Sequence, residues 1–255
     1  MPGEAHDEIM KTAMFADIHG NLEAISTCLA HAHDLGAERF AFLGDLVGYG
    51  ADPVAVLDLI ESHARKGAVV VLGNHDAAAL GHAADLHPHA QAAIVWTRGQ
   101  LGASQRAFLQ GLPLVVREQG MLFVHASAAA PEQWVYIASA AQAEASMRAA
   151  GTSYVFCGHV HEPQLYFRGP NGRAVLFQPV PDVPIPAARQ RQWLAIVGSA
   201  GQPRDRNSAA CYAMFDSERE RLTFYRVPYD HRAAAMKVRA AKLPERIAIR
   251  LERGT

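Results

Sequence analysis

Apolar runs alternate with helical patterns along the first part of the chain. Residues 9–15, 39–43 and 68–72 have the length and the apolar content of buried strands. Apolar residues recur at helical spacing over residues 22–35, and Pro53 begins a second predicted helix that runs to about residue 65. This alternation of strands and helices predicts a parallel sheet.

The later part of the chain is richer in short strand-like runs. Residues 114–117 and 121–124 flank a Glu-Gln-Gly turn and predict a hairpin, and an apolar run at 154–157 predicts another strand. Further runs, separated by turn residues, predict mainly antiparallel pairing in a second sheet packed on the first. They span residues 164–167, 174–179, 193–197, 210–216 and 221–227.

Two segments stand apart from this pattern. Residues 77–111 are alanine-rich and predict a helical insert. From about residue 230 the tail is basic and predicted to be partly helical, with a break at Pro244. Its charges are those of a solvated face or of a partner-binding arm. No linker divides the chain, so we expect a disordered tail over residues 1–9 and a single domain over residues 10–255.

Composition narrows the class of protein. The 255 residues are 50% hydrophobic and 19% charged, with a net charge of −1, so nothing predicts attraction to a nucleic-acid polymer or an anionic membrane. The three cysteines form no Cys-x-x-Cys pair, and no apolar run is long enough to span a bilayer. We expect a cytoplasmic protein, and its oligomeric state is left open.

Acidic, amide and imidazole side chains follow the predicted strands. Because open α/β sheets carry their chemistry at strand ends, we expect these groups to meet in one site. The groups are Asp17 and His19, Asp45, Asn74 with His75 and Asp76, His125, and His159 with His161. Alternation along an extended chain predicts that Asp17 and His19 point the same way, and likewise His159 and His161.

The order Asp-x-His, Gly-Asp-x-x-Gly, Gly-Asn-His-Asp, a lone His and Gly-His-x-His resembles the calcineurin-like metallophosphoesterase superfamily over about residues 10–230. The Gly-Ser-Ala-Gly-Gln-Pro-Arg-Asp stretch at 198–205 is similar to a loop of its small prokaryotic branch, the YfcE-like and diadenosine-tetraphosphatase-related phosphodiesterases. The resemblance implies an α/β fold, a four-layer αββα sandwich of two facing mixed sheets with helices outside.

The resemblance also implies two divalent metal ions, chosen from Mn, Fe, Zn, Ni or Co, with Mn favoured in vitro. By that resemblance, one ion would be held by Asp17, His19 and His161, the other by Asn74, His125 and His159, and Asp45 would bridge them. Ions so paired produce hydroxide from water near neutral pH, and that hydroxide would attack phosphorus. We expect His75 to protonate the leaving oxygen and Asp76 to orient the His75 ring.

The second motif departs from the protein Ser/Thr phosphatases of the superfamily. In those phosphatases the motif resembles Gly-Asp-x-Val-Asp-Arg-Gly, whose arginine binds the phosphate. This chain has Gly48-Tyr49-Gly50 at the corresponding position and lacks that arginine. We therefore expect a small phosphodiester or nucleotide substrate, contacted by Asn74 and His75, with the 77–111 insert covering one side of the site. Tyr49 is either a further substrate contact or a packed tyrosine. The alternatives are a protein Ser/Thr phosphatase, a diadenosine-tetraphosphate hydrolase and a non-catalytic scaffold.

Overall fold

Two mixed sheets lie face to face with helices on their outer sides. This computed structural model describes residues 10–82, 86–169 and 172–255. The predicted disordered tail, residues 1–9, lies outside the described residues, as do 83–85 of the predicted insert. Within the described ranges each sheet has six strands, so the predicted αββα fold is confirmed.

The first sheet is built around the amino-terminal strands. In spatial order it contains β3 (Val69–Val70), β2 (Arg39–Phe42), β1 (Lys11–Phe15), β11 (Ala210–Asp216), β12 (Arg221–Val227) and β9 (Ile185–Pro186). Strands β1, β2 and β3 are parallel, as the alternating pattern predicted, while β11 lies antiparallel to β1. Strand β3 is shorter than the apolar run that predicted it.

The second sheet combines the middle of the chain with part of its last third. In spatial order it contains β4 (Val115–Glu118), β5 (Met121–Val124), β6 (Tyr154–Cys157), β10 (Gln192–Val197), β7 (Pro163–Arg168) and β8 (Ala174–Phe177). Strands β4 and β5 form the predicted hairpin, and β5, β6 and β10 run parallel.

The expectation that the last third forms the second sheet by itself is wrong. Strands β9, β11 and β12 join the first sheet instead. The reason lies in β11, whose first six residues are all buried, so the strand needs neighbours on both edges and cover on both faces. Pairing with β1 and β12 supplies those edges, and it gives β1 a second partner besides β2.

Apolar side chains fill three layers. Met14, Phe123, Phe156 and Phe215 belong to the core between the sheets. The outer face of the first sheet packs on the first two helices, and that of the second sheet packs on the helix after β5. The helices span α1 (Leu22–Asp34), α2 (Pro53–Ala64), α3 (Asn74–Ala79), α4 (Pro88–Gln100), α5 (Ala103–Gln110), α6 (Ala140–Ala150), α7 (His231–Ala240) and α8 (Glu245–Arg253).

The basic tail is a packed helical pair, not merely a solvated face. Pro244 separates α7 from α8, as predicted. Their apolar faces are buried: Val238 and Ile247 belong to a cluster that also contains Tyr49 and Ala93. Helices α7 and α8 therefore pack against the loop after β2 and against α4, next to the strand ends of the first sheet.

Candidate metal centre

The strand-end residues singled out in the sequence converge in one buried cluster. Strands β1, β2 and β3 of the first sheet and β5 and β6 of the second all end at it. All of these side chains are buried. Within the described ranges, three overlapping groups have ligand atoms that lie within 4.8 Å of one another. They are Asp17, His19 and His161; His19, Asp45 and His75; and Asp45, His125 and His159.

The paired residues do not reach the cluster by strand alternation. Asp17 and His19 both have φ of 52°, and His159 and His161 have φ of 69° and 66°. The expected extended geometry is therefore wrong, because these residues lie beyond the strand ends in left-handed loop conformations. Backbone pairing holds the first loop in place: the Asp17 N–H donates to the carbonyl of Gly44 at 3.1 Å, and the His19 N–H to that of Asp45 at 2.9 Å.

The first group presents two imidazole lone pairs to each other. His19 Nδ1 lies 3.1 Å from the Val47 carbonyl oxygen, and His161 Nδ1 lies 2.7 Å from that of Gln202. Because a carbonyl only accepts, we assign the proton of each neutral ring to Nδ1. The two Nε2 atoms are 3.2 Å apart, so two acceptors face each other without a proton between them. Such a pair needs a cation.

The second group is built in the same way. His125 Nδ1 donates to the Leu43 carbonyl at 2.8 Å, so in the neutral ring, the form that binds a metal, Nε2 is an acceptor. That Nε2 lies 3.1 Å from Asn74 Oδ1 and 3.1 Å from His159 Nδ1. On the other side of the His159 ring, buried Nε2 has no hydrogen-bond partner. Imidazole and amide acceptors thus converge here without a donor for each of them.

Asp45 connects the two groups. Its Oδ2 lies 3.7 Å from His19 Nε2, and its Oδ1 lies 3.5 Å from His125 Nε2. One carboxylate therefore faces both sets of nitrogen ligands. The loop after β3 approaches Asp45 closely: a Cβ on Gly73 would lie 2.1 Å from the Asp45 backbone nitrogen, so only glycine allows this approach.

Protonation within the cluster follows from burial and from Asp45. Burial lowers the pKa of His19 and of His161 well below the ordinary range, and it lowers that of His159 to about 3, so these rings are neutral at pH 7. Burial acts in the same direction on His125, but the Asp45 carboxylate outweighs it and raises the pKa to about 9. Metal binding would displace that proton.

These donors suit a divalent transition metal. Neutral imidazole nitrogens, carboxylates and an amide oxygen match Mn, Fe, Zn, Ni or Co, and thiolate is not needed. All three cysteines are buried, Cys28 and Cys157 within the apolar clusters, and burial raises the pKa of each thiol, that of Cys211 included. Bound cations would resolve the facing acceptors described above, so the residues present fit a metal site.

Asp76 does not orient the His75 ring through a hydrogen bond, which corrects the expected contact. Its Oδ1 accepts from the N–H groups of Leu46 and Val47 at 2.9 and 3.1 Å, and its Oδ2 accepts from the N–H of Gly73 at 3.0 Å. Both carboxylate oxygens are thus used by backbone donors. Asp76 joins the loop after β2 to the loop after β3.

The His75 ring lies against other rings at the centre. It makes edge contact with His19, with ring centroids 4.8 Å apart, and it packs on Tyr49 at 4.7 Å. Its backbone N–H donates to Asp45 Oδ1 at 2.8 Å, while its buried Nδ1 has no hydrogen-bond partner. Burial lowers the pKa of His75, so the free ring is neutral at pH 7.

A cavity of about 410 Å³ adjoins the cluster. Asp45, Asn74 and His75 line it on the side of the metal ligands, and Tyr49, a candidate substrate contact, lines it as well. Trp134 and Tyr136, from the loop after His125, also reach it, and the Tyr136 ring stacks on His159 at 3.9 Å. His87 and Ala90, from the start of α4, add part of the wall, so the 77–111 insert borders the site.

Two arginines of the cavity were missed in the sequence. Arg204 comes from the 198–205 loop, and its Cζ lies 6.0 Å from the centre of the Tyr49 ring. Arg250 comes from α8. The loop motif singled out the first without assigning it a role. The sequence does not distinguish Arg250, because α8 contains three arginines and two of them prove to be exposed.

Comparison with known proteins identifies the family. The model of the calcineurin-like phosphoesterase superfamily domain matches residues 10–220. The chain belongs to this superfamily. An uncharacterized protein of Methanocaldococcus jannaschii is 31% identical over 245 residues, which cover 94% of this chain and 96% of that relative.

Solved structures agree with the assignment to the calcineurin-like phosphoesterases. A metallophosphoesterase from Sphaerobacter thermophilus is 31% identical, with a TM-score of 0.86 over 97% of this chain and 100% of the other. A hypothetical protein from Pyrococcus horikoshii OT3, 21% identical, covers 96% of this chain and 98% of its own, and its TM-score of 0.76 shows the shared fold.

Membership makes this calcineurin-like protein a metal-dependent phosphoester hydrolase, and the buried His and Asp clusters are able to bind the divalent ions that the family uses. The family match ends at residue 220, before α7 and α8, so Arg250 lies outside the matched region. Within the described ranges, no helix combines the length and apolar character needed to cross a bilayer.

Proposed function

We propose that this phosphoesterase uses two divalent metal ions to hydrolyse a small phosphodiester or nucleotide. One observation carries the proposal: two groups of buried side chains with metal-ligand chemistry meet at the two oxygens of Asp45, and the two Nε2 atoms of the first group face each other without a proton between them. In this proposal Asp17, His19 and His161 hold one ion, and Asn74, His125 and His159 hold the other, as the family resemblance implies. Asp45 serves both ions. Mn is the ion that we expect to support activity in vitro.

Bound ions would neutralise charge on the phosphate and activate water. The protein's own groups then have two tasks, positioning the phosphate and supplying a proton to the leaving oxygen. His75 lines the cavity next to Asp45 and takes the second task in our proposal. Its lowered pKa makes the free ring neutral, and a phosphate anion beside the ring favours the protonated form.

Arg204 supports the first task. The second motif lacks the arginine that the protein phosphatases carry there, yet Arg204 brings a guanidinium to the same region, over the ring of Tyr49. Its Nε is buried without a hydrogen-bond partner, and its Nη2 donates to the Gln202 side chain at a long 3.3 Å. A guanidinium with unused donors beside a metal centre is suited to binding a phosphate oxygen.

The preference for a small substrate rests on the shape of the site. A cavity of about 410 Å³ is within the range of small-molecule sites, and several aromatic side chains line it, Tyr49, Trp134 and Tyr136 among them. Aromatic faces and a hydroxyl suit a nucleoside or an aryl ester.

Elemental analysis of the purified protein, followed by assays with Mn²⁺, tests the proposal. We expect two equivalents of metal per chain and faster turnover of bis-p-nitrophenyl phosphate than of p-nitrophenyl phosphate or a phosphopeptide. Diadenosine tetraphosphate belongs in the same panel, because it tests the alternative hydrolase. Highest turnover with the phosphopeptide would refute the substrate class. One equivalent of metal in a fully active protein would refute the binuclear centre.

The matched variants are Asp45→Asn and Asp34→Asn. Asp45 is buried at the centre, whereas the Asp34 side chain is 82% exposed, so the same chemical change is made in two environments. Asp45→Asn should lose activity and metal, while Asp34→Asn should retain both. Full activity with full metal content in Asp45→Asn would overturn the assignment.

A further inference from the structure

One side of the cavity carries two positive charges from different parts of the chain. Arg204 belongs to the 198–205 loop, and Arg250 belongs to α8, which the family match does not include. Tyr49 connects them in space. Arg204 lies over its ring, and the same tyrosine packs in one apolar cluster with Ile247 and Leu251 of α8. The packing of α8 therefore determines the position of Arg250 at the cavity.

Neither arginine forms an ion pair within the described ranges. Two cations of α7, by contrast, are paired: Arg239 binds Glu245 and Glu252, and Lys237 binds Glu23 and Asp52. The acidic partners available to the helical pair are thus used away from the cavity. Burial, and then the charge of Arg204, lowers the pKa of Arg250, as expected for two guanidinium groups facing one space.

The two arginines lie at different depths relative to the metal ligands. The charge of Arg204 acts on Asp17 and His161 at the centre, whereas Arg250 interacts with Arg204 and Tyr49. Apart from Asp45, the acidic side chain that lines the described cavity is Glu132, and it is exposed to water, which screens its charge. The part of the cavity next to Arg250 is therefore a positively charged region, without a buried acidic partner, beyond the site of hydrolysis.

We propose that Arg250, together with Arg204, binds a second phosphate group of the substrate, separate from the phosphate that is hydrolysed. This inference rests on the proposed function and narrows its substrate class to small phosphoesters that carry a further phosphate. Guanidinium forks bind phosphate through paired, charge-assisted hydrogen bonds. The cavity of about 410 Å³ accommodates a molecule of nucleotide size with two such groups.

The test compares ligands that differ by one phosphate. Adenosine 5′-monophosphate, adenosine 3′,5′-bisphosphate and adenosine 5′-diphosphate are titrated into the purified full chain with its metals retained. Binding is followed by calorimetry and by competitive inhibition of bis-p-nitrophenyl phosphate hydrolysis. At least one ligand with two phosphates should bind about tenfold or more tightly than the monophosphate, the gain expected of one charge-assisted contact.

Variants of α8 assign that gain to a residue. Arg250→Gln should reduce the advantage of the second phosphate to less than about threefold, and Arg250→Lys, which keeps a positive charge, should restore part of it. Arg253→Gln is the matched control, because this exposed arginine of the same helix does not line the cavity. Its ligand preference should equal that of the unmodified protein. Thermal unfolding of each variant shows that it is folded.

The two proposals fail in different ways. If bis-p-nitrophenyl phosphate is hydrolysed but the second phosphate gives no advantage, or if Arg250→Gln keeps the full advantage, the subsite is wrong and the phosphoesterase proposal stands. If nothing is hydrolysed, calorimetry still measures the dependence on Arg250. Loss of the advantage in Arg253→Gln as well would also refute the assignment to Arg250.

Discussion

Asp76→Asn separates a structural role of this carboxylate from a role in orienting His75. Three backbone N–H groups, from Leu46, Val47 and Gly73, donate to its two oxygens. The single oxygen of asparagine could accept either from Leu46 and Val47 or from Gly73, but not from both sides. The amide NH₂ would then face a backbone N–H donor on the other side. In the metal-free chain, burial and the nearby Asp45 charge raise the pKa of Asp76 to about 7, which favours a neutral side chain. The comparison therefore belongs at pH 8 with the metals bound, where cations offset the Asp45 charge and the carboxylate is ionised.

The magnitude follows from these bonds. One buried N–H without an acceptor costs about 1–3 kcal/mol, and the remaining bonds lose the extra strength of a charged acceptor, about 1 kcal/mol. We expect the free energy of unfolding to fall by about 2–4 kcal/mol, which corresponds to a decrease in Tm of about 5–15 °C for a chain of this size. Because the bonds join the loops that carry Asp45 and Asn74, metal retention should also decrease.

The assay combines thermal unfolding with turnover of two phosphodiesters, one with a p-nitrophenolate and one with an alkoxide leaving group. Asp76→Asn should lower Tm and slow both substrates to a similar extent. His75→Asn should slow the alkoxide substrate more, because a poor leaving group depends on the proton donor. If Asp76→Asn keeps its Tm and reproduces the leaving-group dependence of His75→Asn, the structural role is refuted.

Further predictions concern pH and glycine. In metal-free protein the pKa of His125 is raised to about 9, because Asp45 outweighs the opposing effect of burial. The stabilisation by protonated His125 is complete below pH 6.5 and is lost as the pH rises to 9. Denaturant titrations of metal-free protein should therefore show the free energy of unfolding falling by about 3 kcal/mol over this range, and Mn²⁺ should suppress the fall. A free energy of unfolding that does not change with pH would contradict this prediction. Gly201→Ala would place Cβ 1.8 Å from the Ile18 carbonyl oxygen and should destabilise by about 2–3 kcal/mol; an unchanged unfolding midpoint would be inconsistent. Gly99→Ala in α4 meets no atom within 4 Å and should raise stability by up to about 1 kcal/mol; a lower Tm would argue against it.

The sequence located the cluster because strand ends and ligand chemistry are both local features. Apolar runs predicted β1, β2 and β6, and the polar residues after them could be placed at one edge by topology alone. Their backbone conformations could not be predicted. Asp17 and His159 adopt left-handed conformations because loops from other strands bond to their backbones, as when the His159 N–H donates to Asp17 Oδ2 at 2.9 Å.

The other differences between the predictions and the structure arise from contacts between residues that are distant in the sequence. The apolar character of β11 indicated a buried strand, but only pairing with β1 decides which sheet contains it. Arg250 and Arg246 are one helical turn apart on α8, and composition does not tell which one lines a cavity. Asp76 was assigned to His75 because they are adjacent, whereas its bonds go to Leu46 and Val47, about thirty positions away.

The pairing of β1 with β11 has a consequence for the order of folding during synthesis. Lys11 lies opposite Asp216, so β1 can pair with β11 only after most of the chain has been synthesised. All seven proposed metal ligands emerge from the ribosome before β11 does. Until β11 is made, β1 is an edge strand, and such late closure of a sheet favours slow folding. We therefore expect ribosome-arrested chains that end before residue 210 to be cleaved readily by protease, and protection of those chains would argue against this order. Metal capture would then be among the last events in maturation of the protein.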